Sequence, residues 1–295
     1  MANSCIILNP TAGSVKDEQA LIHRLRSLPD TEIKISSKAG SAQRLAATAI
    51  KQGFKVIIAA GGDGTLNEVI NGIGDRTGSI SVGLLPLGTG NDFARSLGLP
   101  TGLDESIDLL QAGHTRPIDL VRVTSDCVRY FVNVSAGGFS GVVDEKLTPE
   151  MKQTWGPLAY LRSAAAALPE LRAYKTTLSL DNSESLSLDL YNVVIANGRY
   201  VGGGTLIAPD ASLDDGLLDI ILIPERSAPE LALLAAQVTM GTHLASGAII
   251  FRRARQVTLN SRPGMWFNVD GELVGNEPAR FEVLPRVLRF VVAAG

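Results

Sequence analysis

The chain has little of what marks several common protein classes. Of its 295 residues only 5% are aromatic, two are cysteine and three are histidine. Cys5 and Cys127 are too far apart in sequence for a zinc or CxxC thiol site, and both fall in apolar, strand-like runs where buried, reduced thiols are expected. His23, His114 and His243 form no ligand spacing and read as solvated or capping residues. Lys and Arg number 27 against 30 Asp and Glu, a formal net charge of −3, so no basic excess points to nucleic acid. No window approaches the ~18 to 20 uninterrupted apolar residues of a membrane span. The opening MANSCIILNP has no basic region followed by a long apolar run, so no secretory signal is expected. These absences suggest a cytoplasmic protein that meets a membrane, if at all, transiently at its surface. Two nucleotide fingerprints are missing as well. No Gly-Lys-Ser/Thr is present, which excludes a Walker A loop, and Gly62-Asp63-Gly64-Thr65-Leu66-Asn67 lacks the last glycine of the dinucleotide pattern.

What is present is a globular composition, 45% hydrophobic, and enough length for two domains. Over residues 1–120 short apolar runs (CIILN, TEIKISS, KVIIAA, ISVGLLPL) alternate with helical stretches around Glu18 to Leu28, Ala42 to Gln52, Thr65 to Ile73 and Asp92 to Leu97. This alternation predicts an α/β domain, an open, mostly parallel sheet with flanking helices, which binds ligands at the carboxyl ends of its strands. From about residue 120 the period changes to two. VRYFVNVS, KTTLSLD, SLSLDLYNVVIANG, LLDIILI, RQVTLNS, MWFNVDG, ARFEVLP and VLRFVVA predict an antiparallel, all-β-like sandwich over residues 121–295. Helical segments interrupt it at Glu150 to Leu171 and Pro229 to Ser246, and the C-terminal strand is free to return to the first domain.

Three strand ends of the first domain carry loops of small and hydroxyl residues: Asn9-Pro10-Thr11-Ala12-Gly13-Ser14, the turn Gly61 to Asn67, and Pro86-Leu87-Gly88-Thr89-Gly90-Asn91-Asp92-Phe93. Gly61, Gly62 and Gly64 let the backbone come close to a ligand, and the helix that follows offers free N–H groups to a phosphate. Thr65 with Glu68 fits a capping box, which would fix the start of that helix. Asp63 beside a phosphate site is repulsive unless it meets a metal ion or handles a proton. Arg95 could reach a phosphate or serve only the surface.

At these residues the chain resembles the diacylglycerol kinase catalytic family, specifically the bacterial soluble lipid kinases related to sphingosine and ceramide kinases. NPTAG, GGDGTLNEV and PLGTGNDFAR match its three nucleotide motifs. Ala208 to Asp219 and Asn268-Val269-Asp270-Gly271-Glu272 match in the second domain, so the resemblance spans nearly the whole chain. It implies ATP- and Mg2+-dependent transfer of the γ-phosphoryl group to a lipid hydroxyl. Nucleotide contacts then fall on Asn9, Pro10, Thr11, Ala12, Gly13, Ser36, Gly61, Gly62, Asp63, Gly64, Thr65, Leu66, Asn67 and Thr89. It also implies a second-domain magnesium site at Ser212, Asp215 and the Leu217 carbonyl, structural or allosteric in role.

A lipid alcohol is a weak nucleophile at neutral pH, and a positioned base typically contributes ~10² to 10⁴ in rate. The family's proton acceptor matches Glu272, with Asp270 second and Asp63, assigned to the nucleotide metal, third. Taken alone, Asp270-Gly271 is also a common hairpin turn. Trp155 to Leu161 and the cluster Asn197 to Gly204 are candidates for an apolar route to the site, although the former reads more readily as an ordinary core helix. The expected partners are a lipid substrate and a membrane surface, with no nucleic acid; a homodimer is left open. The rival readings are a kinase of a soluble polyol or dinucleotide, and a non-catalytic nucleotide-binding regulator.

Overall fold

Runs such as Cys5 to Leu8 and Ile57 to Ala60 are apolar at every position, which suits strands buried on both faces of a parallel sheet. The computed structural model, which describes residues 3–138, 171–270, 272–275 and 278–294, has this arrangement. Strands β1 (Ser4–Leu8), β2 (Thr31–Ile35), β3 (Val56–Gly61) and β4 (Ser81–Pro86) pair in parallel in the order 2-1-3-4. Helices α1 (Glu18–Leu25), α2 (Ser41–Lys51), α3 (Asp63–Ile73), α4 (Asp92–Leu97) and α5 (Leu103–Ala112) alternate with them or follow them. The strand order reverses between β1 and β3. Their carboxyl ends therefore open on the crevice where such sheets bind ligands.

The chain divides into two compact units, Met1–Leu120 with Leu284–Gly295, and Val121–Val283. Both crossings lie within strands, β5 (Thr115–Thr124) and β17 (Ala279–Val291). The end of β17 lies parallel to β4 in the first unit, with Arg289 opposite Ser81 and Phe290 opposite Val82. The sequence pattern suggested two strands, ARFEVLP and VLRFVVA, on either side of Arg286. They form one, because the left-handed residue Arg286 (φ 55°) donates its N–H to the buried Asp119 carboxylate at 2.7 Å instead of ending the strand.

In the second unit the pairing is antiparallel. β9 (Glu184–Ala196) pairs with β7 (Val134–Gly138), β8 (Tyr174–Leu180) and β12 (Leu218–Pro224). β13 (Ile250–Ala254) joins β12, and β14 (Gln256–Arg262) lies between β8 and the start of β17. β15 (Phe267–Val269) pairs with β7 and with β16 (Glu272–Leu273). Period-two alternation sends Leu178, Val193, Ile195, Ile220, Val257 and Phe281 into one core. The opposite face buries Val194, Ala196 and Ile221 with Leu234 of α6 (Ala228–Met240). The Gly202–Gly204 cluster forms the turn of a small hairpin, β10 (Tyr200–Val201) with β11 (Thr205–Leu206). Of the helix expected at 150–171, residues 150–170, including Trp155 to Leu161, lie outside the described residues. Among the described residues no helix is long and apolar enough to cross a membrane.

Three sequence expectations change. Helix α3 starts at Asp63, so Thr65 falls in its first turn and makes no capping box. Glu68 instead accepts the Gly40 and Ala42 amides at 2.8 Å each, closing the start of α2, where glycine at the cap position has no side chain to do so. His243 is buried, with Nε2 2.7 Å from the Ile207 carbonyl oxygen. Cys127 is exposed in the turn between β5 and β6 (Val128–Phe131), because Ser125 and Asp126 make that stretch a polar hairpin and not strand interior.

Cys5 is fully buried, and burial pushes its thiol up to about 11. A thiol reagent should therefore label one cysteine, Cys127, in the native protein and both in denaturant. Mass spectrometry of the two samples checks this, and rapid double labelling of native protein would contradict the burial of Cys5.

Candidate active site

The loops after β1, β3 and β4 are tied to one another. Asn9 accepts the Thr11 amide and hydroxyl at 3.0 and 2.8 Å, which shapes the first loop, and its Nδ2 donates to Thr65 Oγ1 at 3.3 Å. Ser14 donates its backbone N–H and its hydroxyl to the Leu87 carbonyl, at 3.0 and 2.7 Å, joining the first loop to the third. The Leu87 amide donates to the Gly61 carbonyl at 2.9 Å, joining the third to the second. A side chain at Gly88 would place its Cβ 2.5 Å from the Cα of Gly62, so the second and third loops can meet only as glycine against glycine.

Asn91 holds the third loop. It sits in the left-handed region (φ 50°), accepts the Gly88 amide at 3.0 Å, and donates to the carbonyls of Gly88 and Pro86 at 2.8 and 3.1 Å. Sequence reasoning gave Asn91 no role, although asparagine is among the few non-glycine residues that tolerate such a conformation. Asp63 follows on. Its two carboxylate oxygens accept the amides of Asp92 and Phe93 at 3.0 Å each, so it caps α4 from the start of α3. Phe93 is then packed edge-on against Phe290 at 5.1 Å.

Within this frame α3 has no side-chain cap, and its first turn includes the exposed Gly64, beside which a Cβ would find open space. Thr11, Gly13 and Thr89 are exposed nearby in the loop sequence, whereas Ala12, Thr65, Leu66 and Asn67 are buried and build the framework. Ser36 follows β2, its hydroxyl 2.7 Å from that of Ser41. Arg95 is exposed and donates to the Gly90 carbonyl at 3.4 Å.

The second-unit candidates have separate surroundings. Val269 and Glu272 are opposed in the β15–β16 hairpin, and Asp270, at φ 45°, has the left-handed backbone of a two-residue turn. The Asp270 carboxylate accepts the Val134 and Val132 amides at 3.0 and 3.3 Å, and so anchors the segment before β7. Gly271 and the Glu272 side chain lie outside the described atoms. Ser212 donates to Asp214 Oδ1 at 2.8 Å, and Asp215 Oδ1 accepts the Leu217 amide at 3.0 Å. The other Asp215 oxygen is paired with Arg253, whose Nε also donates to Asp219 at 2.7 Å. Burial pushes the Asp219 carboxyl up, and the Arg253 guanidinium opposes that shift. Among the described residues no three His, Cys, Asp or Glu side chains gather as a metal cage.

Comparison with known proteins agrees with this two-part layout. The family described as diacylglycerol kinase catalytic domain matches residues 3–123, and the one described as YegS C-terminal NAD kinase beta sandwich-like domain matches residues 133–292. A diacylglycerol kinase of Staphylococcus saprophyticus is 33% identical over 287 residues, which cover 94% of this chain and 90% of the relative. One of Staphylococcus haemolyticus is 33% identical over 292 residues, covering 95% and 85%. The chain belongs to the diacylglycerol kinase catalytic family. That membership supports a kinase with an alcohol acceptor. A crystal structure of a diacylglycerol kinase from Bacillus anthracis superposes with a TM-score of 0.81 at 23% identity, covering 99% of this chain and 97% of that one, a likeness of fold.

The two glycines of the family's second and third motifs should respond oppositely to a methyl group. Gly88→Ala forces the loops apart and should cost about 1 to 3 kcal/mol. Gly64→Ala meets nothing and removes backbone freedom from a helix, so it should leave stability unchanged or raise it by up to about 1 kcal/mol. Urea melts of the two variants check the pair; equal destabilisation would contradict the loop contact.

Proposed function

We propose that the protein is an ATP- and magnesium-dependent lipid kinase that transfers the γ-phosphoryl group to a lipid hydroxyl, diacylglycerol-like in class. The observation that carries this reading is the meeting of three glycine-bearing strand ends beside an uncapped helix start, a cradle that a side chain at Gly88 would spoil. Free amides at the start of α3 attract a phosphate chain, and the open space at Gly64 leaves room for it. Thr11, Gly13 and Thr89 line the exposed side of the same loops. Asp63 is the carboxylate closest in sequence to that helix start, and it suits a hard cation carried by the nucleotide. Bound magnesium supplies charge neutralisation on the phosphates.

In the reaction the lipid hydroxyl oxygen bonds to the γ-phosphorus, the bond from that phosphorus to the β–γ bridging oxygen breaks, and ADP leaves. The hydroxyl proton goes to Glu272. Asp270 is a weaker choice because both its oxygens already accept backbone amides. Asp63 is likewise engaged at both oxygens, and a residue that holds the donor side does not serve the acceptor. The staphylococcal relatives named diacylglycerol kinase support the lipid class of acceptor. A soluble enzyme acting on such an acceptor works at a membrane surface.

Incubation with labelled ATP, magnesium and a total lipid extract should give a phosphorylated lipid identifiable by mass spectrometry; labelling of soluble polyols or dinucleotides alone would reject the lipid assignment. Glu272→Gln keeps size and removes basicity, so turnover should fall by about two to four orders of magnitude with ATP affinity nearly unchanged. Near wild-type turnover in that variant would move the base to Asp270. Gly64→Ala, harmless to the fold, should weaken ATP binding by roughly tenfold or more, about 1.4 kcal/mol or above. Calorimetric titration checks it, and unchanged affinity would place the phosphates elsewhere.

A further inference from the structure

The magnesium site implied by the family resemblance would draw on Ser212, Asp215 and the Leu217 carbonyl, a set with one negative charge. The described contacts do not fit that use. Asp215 Oδ1 accepts the Leu217 amide, and Asp215 Oδ2 is held by the guanidinium of Arg253. A divalent ion there would share its only anionic ligand with a permanent positive charge. Arg253 is not a chance visitor. It stands directly opposite Asp219 across the β12–β13 ladder, and donates through Nε to Asp219 Oδ1 at 2.7 Å. The Asp219 side chain is 1% exposed, and its other oxygen has no hydrogen-bond partner. The guanidinium is thus the counter-charge for two carboxylates, one buried and one on the preceding turn. The Ser212 hydroxyl and the Asp215 carboxylate on the turn, with Asp219 at the start of β12, are what a hard divalent ion would take if the guanidinium were gone.

We infer that Arg253 takes the place of a metal ion in the second unit: its fork ties the Asp215 turn to the buried Asp219, and the unit is ordered without magnesium. This goes beyond the kinase reading and does not depend on it, since it concerns the nucleotide-free protein. Arginine suits the task because its planar donors reach both carboxylates at once and never lose their charge.

The test uses the full chain, stripped of metal and free of nucleotide. Manganese binding is followed by the spin resonance of the free ion, and melting is followed with and without magnesium. Wild type should show no manganese binding that Asp215→Asn abolishes, and no shift in Tm on adding magnesium. Arg253→Met, similar in length and uncharged, should melt roughly 5 to 10 °C lower in chelator, because it leaves a buried carboxylate unpaired. It should recover with millimolar magnesium and bind one manganese ion, and both gains should vanish in the Arg253→Met, Asp215→Asn double variant. If Arg253→Met is unfolded in chelator, magnesium-driven refolding gives the same support. Manganese bound to wild type in an Asp215-dependent way would overturn the inference. So would an Arg253→Met protein, folded or unfolded, that does not respond to either metal.

Discussion

The closeness of Gly62 to Gly88 is the constraint on which the candidate site depends. A Cβ on Gly88 would come within 2.5 Å of the Gly62 Cα, closer than any side chain can lie. Once these loops touch, the Leu87 amide reaches the Gly61 carbonyl, and Asp63 reaches the amides of Asp92 and Phe93. The start of α4 is then fixed by the start of α3, and Phe93 is delivered to Phe290 at the end of β17. The joining of the second and third loops at the sheet's switch point follows from that contact. On the proposed reading, an anion there would meet the backbone amides at the start of α3.

A second thread is the occupation of carboxylates by backbone amides. Asp63 caps α4, Glu68 caps α2, Asp119 serves the irregular residue of β17, Asp181 accepts the Arg255 and Gln256 amides, and Asp270 anchors the segment before β7. Apart from the exposed Asp181 contacts, each such use satisfies part-buried donors whose loss of a partner would cost on the order of 1 to 3 kcal/mol apiece. This sorting narrows the chemistry. A carboxylate that fixes two amides is a poor choice for taking up a proton, which weighs against Asp63 and Asp270 in that role.

The parallel sheet, its strand-end loops and the change to antiparallel pairing near residue 120 were all legible, because burial on two faces and burial on one write different periods into sequence. The glycines of the three loops were legible as a group, but which glycine meets which loop was not, since that depends on contacts between residues 26 positions apart, Gly62 and Gly88. Thr65 and Glu68 looked like partners by spacing. Glu68 serves another helix, because the glycine before α2 left amides that only a neighbour could satisfy. Cys127 and His243 were misjudged for opposite reasons: an apolar neighbourhood hid a turn, and a lone histidine found a carbonyl inside the core. The Asp215 turn was legible as acidic, while its counter-charge, Arg253, lay 38 residues on and became visible only through strand register.

The central claim is that a triphosphate rests on the joined loops of the first unit. Amide chemical shifts of the nucleotide-free protein, recorded as a non-hydrolysable ATP analogue with magnesium is added, test it most directly. The account predicts the largest saturable changes at the amides of Gly13, Gly64 and Thr89, with smaller ones at Asp92 and Phe93 through the Asp63 cap. Saturable changes that leave those loops untouched and fall elsewhere would contradict it.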